Sequence, residues 1–89
     1  MKAKKNSKKD ADLLEEPQKM LKKIGGRLKE LRIKKGFTSY EDFAYEHDID
    51  RSQYGKYERG AADIRVGTLV RLLGFHDLTM GEFFKDWDR

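Results

Sequence analysis

The residues with the most pronounced chemical character stand together at Asp50-Arg51-Ser52-Gln53-Tyr54-Gly55-Lys56-Tyr57-Glu58-Arg59-Gly60. Wound as a helix at about 100° per residue, this stretch sends Arg51, Ser52, Gly55, Lys56 and Arg59 to one side. Gln53, Tyr54, Tyr57 and Glu58 go to the other. The first side is cationic, rich in hydrogen-bond donors and nearly free of apolar bulk, which suits the edges and phosphates of a DNA groove. Asp50 can accept a backbone N–H as an N-cap, and Gly60 suits the left-handed residue that closes a helix. Both ends of a helix over residues 51–59 are therefore predicted from sequence. Gly55 lies among the polar residues. Its missing side chain either permits close approach to the groove floor or is simply an exposed, mildly destabilising glycine.

Other chemistries find little support. No nucleophile is paired with a base, and no glycine-rich loop is followed by a phosphate-binding lysine. His47 and His76 lie far apart in sequence without ligand-like neighbours, so they are read as packing or capping residues, with no metal site and no cofactor. An enzyme is not expected. The 89 residues contain no cysteine, which leaves packing to hold one small domain together. No apolar run reaches membrane-spanning length, and the lysine-rich start lacks the apolar stretch of a secretory signal. A cytoplasmic, nucleoid-associated protein with no membrane partner is the expectation.

The net charge is +4, and its distribution says more than its sum. Residues 1–16 hold five lysines against four acids, residues 17–36 hold eight basic residues against one acid, and residues 37–89 hold seven against eleven. The cationic excess thus gathers in the second segment, a pattern that favours a polyanionic partner. It is equally the pattern of a solvated helix face.

Five helices must position the stripe. Residues 1–16 are expected to be a flexible arm, because the first twelve offer too little apolar surface to offset their ordering entropy. From about Pro17 to Lys35, Met20, Leu21, Ile24, Leu28 and Leu31 recur at three- and four-residue steps, which predicts an amphipathic helix. Gly25-Gly26 interrupts that pattern. Either the helix begins after the pair or a neighbouring element passes close to it. Thr38 with Glu41, or Ser39 with Asp42, could cap a second helix whose apolar side carries Tyr40, Phe43, Ala44 and His47. A tight turn at residues 48–50 joins it to the polar-striped helix and completes a helix-turn-helix unit. Val66, Leu69, Val70, Leu72 and Leu73 predict a fourth helix ending near His76, and residues 79–87 a short fifth.

These fragments, in this order and spacing, resemble the phage-repressor and Cro-like helix-turn-helix proteins of the XRE family. The resemblance runs from about Ile24 to Phe84. It rests on Arg27-Leu28-Lys29-Glu30-Leu31-Arg32 with Gly36, Glu41-Asp42-Phe43-Ala44, Ile49 to Tyr54, Tyr57-Glu58-Arg59-Gly60, and Leu69 with Leu72. It implies an all-α, five-helix lambda-repressor-like domain over residues 17–89, with residues 51–59 as the recognition helix. By position, Arg51, Ser52 and Lys56 correspond to side chains that reach base edges, and a good bidentate contact there contributes about 1–3 kcal/mol of discrimination. Ser39 and Tyr40, at the start of the second helix, and Arg59 are the expected phosphate contacts. The family places a glutamine where Tyr40 aligns, and one extra residue stands between Gly36 and Phe43. Arg32 and Glu58 match an inter-helix salt bridge of the family.

The function implied is a sequence-specific regulator of transcription on double-stranded DNA, a repressor by the habit of small family members. Two half-sites about 34–36 Å apart imply a homodimer. Phe83, Phe84 and Trp87 are the candidate dimer contacts, with core packing as the other role open to the two phenylalanines. A different class of function, an antitoxin-like module that binds another protein on the same scaffold, remains open.

Overall fold

The computed structural model describes residues 16–87. Five helices follow one another: α1 (Pro17–Lys34), α2 (Tyr40–Glu46), α3 (Arg51–Arg59), α4 (Val66–Gly74) and α5 (Met80–Phe83). No strand occurs among the described residues. The all-α class and the five-helix order are as the sequence implied, whereas the proposed arm, all but its last residue Glu16, lies outside the described residues.

α1 runs unbroken through Gly25-Gly26. A Cβ on Gly25 would stand 2.5 Å from the Glu58 carbonyl oxygen and overlap the Tyr57 carbonyl oxygen, while one on Gly26 would meet nothing. Of the two readings of the glycine pair, the close passage of a neighbour is therefore correct. The neighbour is α3. Ser39 caps α2 by accepting from the Glu41 and Asp42 amides, so of the two possible caps it is Ser39 that is used. Asp50 caps α3 through the Gln53 amide at 2.9 Å, and Gly60 ends it at φ 70°.

Tyr54, Phe43, Leu28 and Leu73, one from each of α3, α2, α1 and α4, form the centre of the core. Packing four large side chains from four helices makes the position of each helix depend on the other three. α5 is shorter than the sequence suggested. It opens on a full capping box between Thr79 and Glu82 and stops at Phe83, and a left-handed Asp86 (φ 61°) then turns the chain. That turn carries Trp87 into the core, where it is only 8% exposed.

Candidate nucleic-acid interface

α3 presents the sequence-predicted stripe to solvent. Arg51, Ser52, Lys56 and Arg59 are exposed, Gln53 and Tyr57 are half-buried, the Glu58 side chain is almost covered, and Tyr54 is wholly buried. Two faces follow from the helical period: anchoring groups and cations alternate every three to four residues, so one side can be gripped while the other stays free.

The grip comes largely from α1. Arg32 donates through Nε to Glu58 Oε2 at 2.8 Å and through Nη2 to Glu58 Oε1 at 3.0 Å, a bidentate pair with side chains 5% and 6% exposed. Its remaining donor Nη1 reaches the Phe37 carbonyl at 2.8 Å, which ties α3 to the loop before α2 as well. The Glu58 carboxylate, more than any other neighbour, holds the guanidinium even more firmly protonated than an ordinary arginine. The Tyr54 hydroxyl is buried beside this pair. Burial first, and Glu58 second, push its phenol far above the usual range, so it stays neutral. Gly60 completes the grip: a Cβ there would sit 2.6 Å from the Lys22 Cα.

Gly55 has a different role from either one the sequence offered. It is buried, and a Cβ on it would lie 2.7 Å from Tyr40 Cε1 and 3.1 Å from Arg59 Nη1. The missing side chain makes room for the Tyr40 ring, which packs against the rim of the core. Tyr40 and Arg59, named separately as phosphate contacts, are thereby brought together at one edge of the stripe. Ser39 is engaged elsewhere, since its hydroxyl accepts two amides and lies 3.2 Å from Glu41 Oε1. Glu41 and Asp42 also place two carboxylates in the first turn of α2, where they oppose an incoming phosphate.

Half of the eight cations of residues 17–36 are occupied in holding the fold. Beyond Arg32, Lys23 Nζ donates to the Trp87 carbonyl at 2.7 Å, Arg27 to the Phe83 carbonyl at 2.7 Å, and Lys35 to the Phe75 carbonyl at 2.8 Å. Lys23 and Arg27 also lie over the Trp87 ring, 4.4 and 4.6 Å from its centroid. The available cations of α1 are thus Lys19, Lys22, Lys29 and Lys34, all exposed. Sequence reasoning missed the clasp around Trp87. The signal was the pairing of Lys23 and Arg27, four apart on one helix face, with a lone terminal tryptophan.

Of the dimer candidates, Phe83 and Trp87 are core residues, and Phe84 is half-buried. Trp87, the candidate nearest the end of the chain, is enclosed: the left-handed Asp86 turns the indole inward, where it lies under two cations. His47 and His76 pack against aromatic rings, and no cluster of metal-ligating residues occurs among the described residues.

Comparison with known proteins agrees with the helix-turn-helix fold. A family model described as helix-turn-helix matches residues 28–83. A curated protein of Mycoplasma sp., the control protein C.MunI, is 31% identical over 67 residues, which cover 75% of this chain and 90% of that one. No solved structure matches significantly.

Proposed function

Because the chain belongs to the XRE-type helix-turn-helix family of DNA-binding transcriptional regulators, we propose that it reads double-stranded DNA by laying α3 in the major groove. The observation that carries this reading is the exposure of Arg51, Ser52 and Lys56 on a helix whose opposite side is locked by Tyr54, Glu58 and Gly60. A rigid platform matters because base-edge hydrogen bonds tolerate little misplacement, and ordering a mobile helix on binding would subtract from affinity. Arg51 and Lys56 donate to guanine edges, Ser52 adds a smaller contact, and Arg59 with Tyr40 holds the backbone beside them. Lys19, Lys22, Lys29 and Lys34 supply long-range attraction, which salt weakens.

The protein acts as a homodimer on a two-fold operator and represses by occluding it in the cytoplasm. The surface that supports a second copy is apolar: Val66 and Val70 on α4 are 68% and 48% exposed. Beside them runs a groove of about 610 Å³ lined by Met20, Leu21, Ile64, Val66, Met80 and Phe84. Phe84 is thus the one of the three proposed dimer residues that reaches this face. Selection from random duplexes tests the whole reading. A pair of inverted half-sites about one helical turn apart is the expected product, and recovery of no preferred duplex overturns it. Sedimentation of the protein with and without that duplex tests the dimer, and a monomer in both conditions overturns that part.

A further inference from the structure

The two histidines, distant in sequence, meet at the joint between α2 and the end of α4. The His47 ring stacks on Phe75 at 4.2 Å and 19°, and the His76 ring stacks on Phe43 at 5.4 Å and 2°. Phe43 also touches His47 at 4.4 Å and Tyr54 at 5.1 Å, so the joint runs directly into the residue that anchors α3. His47 is the C-cap of α2, immediately before the left-handed Asp48 (φ 56°) that makes the turn into α3. Its Nε2 is buried with no hydrogen-bond partner.

We propose that His47 and His76 form an acid-sensitive joint, so that protonating them loosens α2 from α4 and thereby weakens duplex binding by α3. A neutral imidazole needs only one donor contact, whereas an imidazolium brings two N–H groups and a charge that must be compensated. Around His47 the charged neighbours are Lys35, which opposes a second cation, and Glu46, which favours one. Around His76 they are Lys35, His47 and Asp77, of which only Asp77 favours the charge. The Arg71 guanidinium lies 5.8 Å from the Phe75 ring and adds a further cation. The end of α2 would itself welcome positive charge through the helix dipole, but Lys35 and burial outweigh it. Burial, and then Lys35, lower both imidazoles from the ordinary value of 6.5.

The sign follows. A depressed folded-state value means the unfolded chain binds protons first, so this stabilisation is complete above about pH 6.5 and disappears as the pH falls through the folded values. Simple electrostatics predicts the reverse for DNA, because added positive charge strengthens attraction to phosphate. The duplex part of the proposal rests on the major-groove reading, whereas the joint itself can be tested without DNA.

The experiment follows the full chain between about pH 8 and about pH 5, the range spanning imidazole titration. It records urea midpoints, histidine ring resonances and affinity for the selected duplex at fixed salt. The native chain should lose urea midpoint on acidification, with both rings titrating below the ordinary value, and should lose duplex affinity over the same interval. His47→Phe with His76→Phe retains the ring stacks and should flatten both profiles. Rings titrating at or above the ordinary value overturn the joint, whether or not the double variant folds. Duplex binding that strengthens steadily on acidification, with the rings shifted as stated, overturns only the coupling to DNA. Absence of duplex binding at every pH overturns the major-groove reading and leaves the joint standing.

Discussion

Two adjacent glycines in α1 should respond to the same substitution with opposite signs. Alanine is favoured over glycine within a helix by about 1 kcal/mol, and at Gly26 that gain is unopposed because a new methyl meets nothing. At Gly25 the methyl would be driven into the Tyr57 and Glu58 carbonyls, which are backbone and cannot rotate away. Overpacking costs about 1–3 kcal/mol, and a clash with fixed backbone belongs at the upper end. About 3 kcal/mol of strain less the propensity gain leaves a net loss of about 2 kcal/mol for Gly25→Ala. With a urea dependence of about 1 kcal/mol per molar for so small a domain, the midpoint should fall by about 2 M for Gly25→Ala. It should rise by about 1 M for Gly26→Ala. Gly25→Ala should also weaken duplex binding under native conditions by pushing α3 off α1. If Gly25→Ala raised the midpoint as much as Gly26→Ala, α1 and α3 would not be in backbone contact, and the rigid-platform argument would fail.

The same platform depends on the buried pair between Arg32 and Glu58. Glu58→Ala strands the Arg32 guanidinium, which is only 5% exposed with its partner present, and should cost about 3–5 kcal/mol in urea unfolding. Arg32→Met combined with Glu58→Ala should lose less than the sum of the two single losses, and an additive double variant would show the pair to be uncoupled. Trp87 should emit as a buried indole whose spectrum is unchanged when the protein is diluted through the range in which the proposed dimer would dissociate; a red shift on dilution would place it at an interface. Tyr40→Phe keeps the ring that fills the space over Gly55, so it should leave stability unchanged and weaken binding to all duplexes alike. Unaltered affinity would assign the hydroxyl no phosphate.

The fold was largely legible because its signals are local. Asp50 and Gly60 mark the ends of α3 through capping chemistry that needs no tertiary context, and the three- and four-residue apolar steps give the buried Ile24 and Leu28 of α1 and Leu69, Leu72 and Leu73 of α4, whereas Val66 and Val70 of the same run stay exposed. Arg32 with Glu58 was legible only through resemblance, since 26 residues separate two groups that are individually ordinary. What escaped the sequence depends on contacts between distant segments. Gly55 looked like part of the outward surface, because periodicity gives a direction but not what stands in front of it; Tyr40 stands there. Trp87 looked available because it lies near the chain end, yet Asp86 reverses the backbone and Lys23 with Arg27 cover the ring. His47 and His76 read as unrelated residues until α2 and α4 were packed together.

Whether α3 reads bases is decided by base preference, measured position by position for the native chain and for Arg51→Ala and Lys56→Ala at two salt concentrations. Each variant should lose discrimination at its own base position in each half-site, by about 1–3 kcal/mol, while retaining the native urea midpoint and preference elsewhere. A uniform drop in affinity at all positions, with the preference profile intact, would mean that these cations touch phosphates only and that α3 does not read the groove.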